Sequence, residues 1–182
     1  MAKRFADFCV LQQRRTPSRP SQGQDTQKTV SYAIIAPMRI YFSGAISGGR
    51  DDLSVYQHIV AHLHAAGVVV PSAHVADPAV LSRESSVSPR DVYQRDIGWI
   101  EQSDAMVAEV STPSLGVGYE VGYALYIAKP ILCLYRRGLF ISKMITGNPA
   151  PTLGVAAYEN LDELDAHLDS FLNSILPGSI HA

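Results

Sequence analysis

Two hydrophobic periods alternate along the chain. Arg39–Phe42, Val68–Val70, Ala105–Val110, Pro130–Tyr135 and Val155–Tyr158 are short apolar runs rich in branched or aromatic residues, as buried strands are. Between them apolar positions recur at helical spacing. In Asp51–Ala66 these are Leu53, Tyr56, Val60 and Leu63, with Asp51 and Asp52 placed for a favourable first turn. Ser88 followed by Pro89 predicts the N-cap and first position of a second helix that runs to about Ser103. Leu115–Ala128 predicts a third helix. Leu161–Leu172 predicts a closing amphipathic one, with Leu161, Leu164, Leu168 and Phe171 on one face.

Strands alternating with helices at this spacing build βαβ units. The fold expected is α/β and doubly wound, a Rossmann- or flavodoxin-like sandwich around a mostly parallel five-stranded sheet. Ligands of such folds bind outside the carboxyl ends of the strands. Segments 43–50, 71–77, 111–120 and 136–144 are therefore the ones to carry a site.

Composition adds a boundary. The 182 residues are 47% hydrophobic and 18% charged, enough for one packed domain. Arg14–Lys28, however, is almost wholly polar, with Pro17, Pro20 and Gly23 and no apolar period. Residues 1–37 are expected to be a disordered basic extension, 38–176 the folded domain and 177–182 a flexible tail. The Arg/Ser/Thr/Gln bias of the extension also resembles an organellar transit peptide, so organellar targeting stays open beside the plainer reading of an unstructured extension. Residues 1–37 carry net +4 and the rest net −6. An acidic domain excludes a nucleic-acid platform, which needs a basic footprint. Cys9 and Cys133 lie too far apart for a disulfide-dense scaffold or zinc knuckle and suit a reducing compartment, so cytoplasmic or nuclear residence is expected. No apolar run is long enough to span a membrane, and no membrane partner is expected.

Candidate chemistry begins with Glu120, the only charged residue between Glu109 and Lys129. It falls in the first turns of a helix capped by Ser111, Thr112 or Ser114, whose N-terminus can hold a nucleophilic carboxylate ionised. Gly116, Gly118 and Gly122 weaken that helix and point to close approach of a ligand or a neighbouring backbone. Asp96 shares a helix face with Tyr93, Ile97 and Ile100; desolvation there would suit a general acid, and pairing with Arg95 or Arg90 is the plainer reading. Two acids at one cleft suit glycosidic-bond cleavage. Ser43–Arg50 after the first strand fits a phosphate-binding turn as well as a tight connection, but neither G-x-G-x-x-G nor a P-loop. His58 and His62 at i,i+4 could ligate a metal. No carboxylate or cysteine accompanies them in a ligand motif, so a solvated face is the expectation for them and His64. His74 follows a strand and is expected at the cleft.

These positions resemble the 2'-deoxynucleoside 5'-phosphate N-hydrolase family, relatives of the nucleoside 2-deoxyribosyltransferases. The match is carried by Ile40-Tyr-Phe-Ser-Gly-Ala-Ile-Ser-Gly-Gly-Arg50, His74-Val-Ala76, Asp96-Ile-Gly-Trp99, Ala108-Glu-Val110 and Lys129-Pro-Ile-Leu-Cys-Leu134. Most specific is Pro113-Ser-Leu-Gly-Val-Gly-Tyr-Glu-Val-Gly122, and Ser142-Lys-Met-Ile145 completes it. The resemblance implies hydrolysis of deoxynucleoside 5'-monophosphates to a free base and 2-deoxyribose 5-phosphate, with no metal or organic cofactor. Glu120 would be the nucleophile, Asp96 the proton donor and Tyr41 a positioning hydroxyl. Tyr56 and His74 would line the base side. Phe42, Ser43, Gly44, Ala45, Ile46, Ser47, Gly48, Gly49, Ser114, Gly116, Ser142, Lys143 and Met144 would complete the substrate site, Ser142 reaching in from the partner subunit of a homodimer. Where the family often has Ser and Arg, this chain has Ala45 and Ser47, leaving Arg50 or Arg136 to compensate. Base exchange by a deoxyribosyltransferase is the same-fold alternative, and a non-catalytic nucleotide sensor the alternative from another class.

Overall fold

The structure, a computed structural model, describes residues 36–176; the predicted extension and the 177–182 tail fall outside the described residues except for 36 and 37. Strands β1 (Ile40–Ser43), β2 (Ala105–Glu109), β3 (Ile131–Arg136) and β4 (Leu153–Tyr158) lie side by side in that order, all parallel. The expected strand at Val68–Val70 contributes a single bridge, Val69 to Arg39. Pro71 ends its pairing, and the next residue takes over with its side chain. Ser72 Oγ accepts from Phe42 N at 2.8 Å and donates to Phe42 O at 2.7 Å. One hydroxyl thus satisfies the β1 backbone where a ladder would have continued. Counting this bridged segment, the spatial order is that of a flavodoxin-like doubly wound sheet.

The period of two along each strand sends side chains to two cores. Ile40, Phe42, Ala105, Val107, Leu132 and Leu134 pack with helices α1 (Leu53–Ala65) and α6 (Leu161–Ile175). Tyr41, Met106, Ala108, Ile131 and Cys133 pack on the other face with α3 (Pro89–Gln102) and α4 (Leu115–Tyr126). Leu164 and Leu168 are fully buried; truncating either to Ala is expected to cost about 2–5 kcal/mol.

The helix starts follow their caps. Ser88 Oγ accepts from Asp91 N at 3.1 Å, Ser114 Oγ from Val117 N at 3.4 Å, and Asn160 Oδ1 from Glu163 N at 2.9 Å. Two expectations about α1 are corrected. Asp51 and Asp52 precede the helix instead of filling its first turn, and buried Asp52 pairs with Arg136 at 2.6 Å and accepts from Thr112 Oγ1 at 2.7 Å. His58 and His62 face α6, not solvent alone, and meet its carboxylates. A 3-10 turn at Ala73–Ala76, α2 (Val80–Glu84) and α5 (Lys143–Thr146) are too short to show a period in the sequence. Among the described residues no helix is long and apolar enough to cross a membrane.

Candidate active site

The loops after β1 and β2 bring the chemistry together at the carboxyl end of the sheet. Tyr41 leaves β1 toward the α3/α4 face, Ser43 ends the strand, and Glu120 stands in the second turn of α4. Tyr41 Oη donates to Glu120 Oε1 at 2.9 Å, and Ser43 Oγ donates to Oε2 at 2.5 Å. Both carboxylate oxygens are therefore fixed in direction. Burial drives the Glu120 pKa up to about 7; the two hydroxyls oppose that rise, while Asp96 and Glu84 add to it. The helix N-terminus alone does not keep this carboxyl in the ordinary range. Burial first, then the Glu120 charge, pushes the Tyr41 phenol well above its usual value, so it remains a donor.

A cleft of about 480 Å³ opens over Glu120. Asp96 and Glu84 line one part of it. Gly44, Ile46, Ser47 and Gly48 line another, facing Ser114, Leu115 and Gly116 at the start of α4. Gly48 is required there, because a Cβ would lie 2.7 Å from the Pro113 carbonyl. Asp96, its side chain 17% exposed, takes the paired arrangement. Tyr93 is exposed, and Arg95 grips the carboxylate through Nε at 2.8 Å and Nη2 at 3.2 Å. The same Nη2 reaches Glu84 at 2.7 Å, and the guanidinium lies over the Trp99 ring.

Several substrate-site expectations are corrected. Tyr56 is fully buried and cannot line the base side; its ring lies under Gly44, and its hydroxyl accepts from Ala45 N at 3.1 Å. Phe42 and Ala45 are also buried, so neither side chain reaches a ligand in this conformation. The Ser43 hydroxyl serves Glu120 rather than a phosphate. Arg50 does not compensate for the missing phosphate-loop arginine. Its guanidinium donates to the carbonyls of Ala45, Val75 and Asp77, bracing the loop, and Arg136 is held by Asp52. Gly49 has a left-handed φ of 138° and does not line the cleft. His74 is half-buried, 3.3 Å from Glu84 and tilted at 58° against the Trp99 ring, so it meets the cleft through Glu84. Burial and the Arg95 charge hold its pKa below the ordinary value. Ser142 and Met144 line a second, more apolar cleft of about 610 Å³ between α4 and α5, while Lys143 lines neither. The sequence pattern singles out neither Glu84 nor Arg95 as a bridge, and it gives Trp99, though part of the Asp96-Ile-Gly-Trp99 motif, no role; the Ser-rich context of 82–88 gives Glu84 no periodic signal.

The family model for nucleoside 2-deoxyribosyltransferase matches residues 40–146. That segment holds β1, the cleft, both acids and α5. The chain belongs to the nucleoside 2-deoxyribosyltransferase family. Within this family it is 40% identical over 136 residues to a putative 2'-deoxynucleoside 5'-phosphate N-hydrolase 1 of Methanosarcina mazei, covering 75% of this chain and 84% of that protein. It is also 40% identical to the 5-hydroxymethyl-dUMP N-hydrolases of Rattus norvegicus, over 78% of this chain and 89% of that one, and of Homo sapiens, over 79% and 84%. The fold is shared with the Clostridium botulinum CMP N-glycosidase BcmB at a TM-score of 0.54 and 19% identity, covering 72% of this chain and 98% of that one.

Proposed function

We propose that this family member hydrolyses the N-glycosidic bond of 2'-deoxynucleoside 5'-monophosphates, releasing a free base and 2-deoxyribose 5-phosphate. The observation that carries the reading is the Glu120 carboxylate, oriented by Tyr41 and Ser43 on the wall of a cleft that also holds Asp96. In the first step a Glu120 oxygen bonds to C1' as the C1'–N bond breaks, and a proton from Asp96 neutralises the departing base. Arg95 stabilises the carboxylate that this proton leaves behind. In the second step water bonds to C1', the ester to Glu120 breaks, and the water proton returns to Asp96. The steps balance without a metal or organic cofactor.

The phosphate is assigned to the gap between Ile46–Gly48 and Ser114–Gly116. Small residues and the α4 N-terminus favour an anion there without a lysine clamp. The relatives named N-hydrolases support water as the acceptor, and the family's transferase name keeps base exchange as the second reading. We place the catalytic unit at residues 38–176, in the cytoplasm or nucleus, where Cys133 stays a buried free thiol. A homodimer is part of the same reading. Leu115, Phe140 and Met144 are 96%, 84% and 83% exposed around the apolar cleft, and a second copy would cover them while presenting its Ser142 to this site.

Incubation with a panel of deoxynucleotides and ribonucleotides, followed by detection of free base, tests the activity. Monophosphates are expected to react and deoxynucleosides to react far more slowly; equal rates would refute the phosphate site. Adding a free acceptor base separates the two readings, since new nucleotide marks base exchange. Ser142→Ala and Glu120→Gln chains, impaired alone, should partly recover activity in mixed dimers, and no recovery would count against a shared site.

A further inference from the structure

Outside the cleft, helices α1 and α6 present four metal-capable side chains to one another at matching one-turn spacing. His58 and His62 stand at i,i+4 on α1, and Asp165 and Asp169 at i,i+4 on α6. His58 Nε2 lies 2.7 Å and His62 Nδ1 3.1 Å from the same oxygen, Asp165 Oδ1. The other ring nitrogen of His62 lies 2.8 Å from Asp169 Oδ1. All three prospective donor atoms of His58, His62 and Asp165 fall within 4.8 Å of one another.

From this geometry we propose that α1 and α6 form a binding site for a zinc-class transition-metal dication. His58 Nε2, His62 Nδ1 and Asp165 are its protein ligands, and water takes the fourth position. Two imidazoles and a carboxylate are the donor set that zinc, copper and nickel prefer over magnesium or calcium, which take oxygen. Donors around a tetrahedral zinc at ligand distances of roughly 2.0–2.2 Å sit about 3.3 Å apart. The two observed nitrogen–oxygen separations are slightly shorter, so a modest opening of the cluster admits the ion. Asp169 plays the outer role that metal-bound histidines commonly need. With the ion bound it would accept from His62 Nε2–H, 2.8 Å away, leaving Nδ1 unprotonated and directed at the ion.

The backing is firm. Ile59, Val60 and Leu63 of α1 and Leu164, Leu168 and Leu172 of α6 belong to one buried core beneath the site. The donors themselves are only 20–32% exposed. Such an ion would tie the helix that follows β1 to the last described helix, 107 residues apart in sequence.

Isothermal titration of the full chain with ZnCl2, with MgCl2 as the hard-cation control, tests the proposal. One saturable zinc site is expected, together with a thermal midpoint that rises with zinc concentration, and Mg2+ should produce neither. His62→Ala should abolish binding, and Asp165→Asn, nearly isosteric and chosen to preserve packing, should weaken it severely. Asp169→Asn should weaken it roughly 10- to 100-fold. Tetrahedral Co2+ absorption lost in the same variants would place the ion on these side chains. No zinc binding by the parent chain, or equal affinity in folded His62→Ala and Asp165→Asn chains, would overturn the site and leave these contacts as plain ion pairs.

Discussion

Glu120 and Glu109 are nearly the same chemical object in two different places. Each is a glutamate near the carboxyl end of the sheet, held by one serine and one tyrosine hydroxyl. Ser43 and Tyr41 serve Glu120; Ser111 and Tyr158 serve Glu109, the tyrosine at 3.0 Å. Burial raises each to about 7. They differ in access. Glu120 faces the cleft with Asp96, whereas Glu109 is fully buried on the opposite face, where the nearby Asp52 charge raises its pKa further. A shifted carboxyl therefore does not by itself mark a catalyst. Space for a substrate and a second acid across that space separate the proposed nucleophile from the buried glutamate.

The largest expected effect comes from Glu120→Gln. Turnover should fall roughly a thousandfold or more while nucleotide binding persists, because the proposed nucleophile is lost and the cleft is not. Steady-state kinetics beside equilibrium binding checks this. If the two glutamates were interchangeable in role, Glu109→Gln would do the same. It is expected instead to leave turnover near the parent value and to alter stability. A folded pKa near 7, above the unfolded value, means that Glu109 favours the fold below about pH 4.5 and loses that contribution as pH rises through 7. The loss is on the order of 3 kcal/mol, and denaturant titrations across pH 4–8 should show a flatter slope in Glu109→Gln. Tyr41→Phe sharpens the catalytic side. Removing a hydrogen bond to a charged group should lower kcat roughly 10- to 100-fold. Because that bond opposes the rise in the Glu120 pKa, the acid limb of the pH–rate profile, expected near 7, should move to higher pH. The smallest effect belongs to the extension: a chain beginning at Met38 should keep its turnover and thermal midpoint, and loss of either would move the domain boundary.

Local signals account for what was legible in the chain. Glu120 stands out as the lone acid in an apolar run, Ser88 announces its helix, and Ser111, Thr112 and Ser114 bracket the start of α4, of which Ser114 is the cap, because capping depends on a few adjacent residues. The alternating strands gave the layered fold, apart from the segment at Val68–Val70, where a serine side chain replaces a strand's backbone. What failed was tertiary in origin. Tyr56 has the same helical period whether its ring lines a cleft or supports a loop from beneath. Nothing near Arg50 reveals that three carbonyls will occupy it, and nothing near Asp52 reveals Arg136. The Glu109 partner Tyr158 and the His58 partner Asp165 arrive from the end of the domain, beyond the reach of spacing arguments.

A covalent trap tests most directly the claim that Glu120, and not its buried counterpart, attacks the sugar. A 2'-fluoro-arabino nucleoside monophosphate is suited to this, since the electron-withdrawing fluorine slows hydrolysis of the glycosyl ester and lets it accumulate. After quenching and proteolysis, mass spectrometry should find the fluorinated sugar phosphate on the peptide containing Glu120 and none on the peptide containing Glu109. An adduct on any other residue, adduct formation that survives Glu120→Gln, or release of base from the analogue with no adduct at all would contradict it.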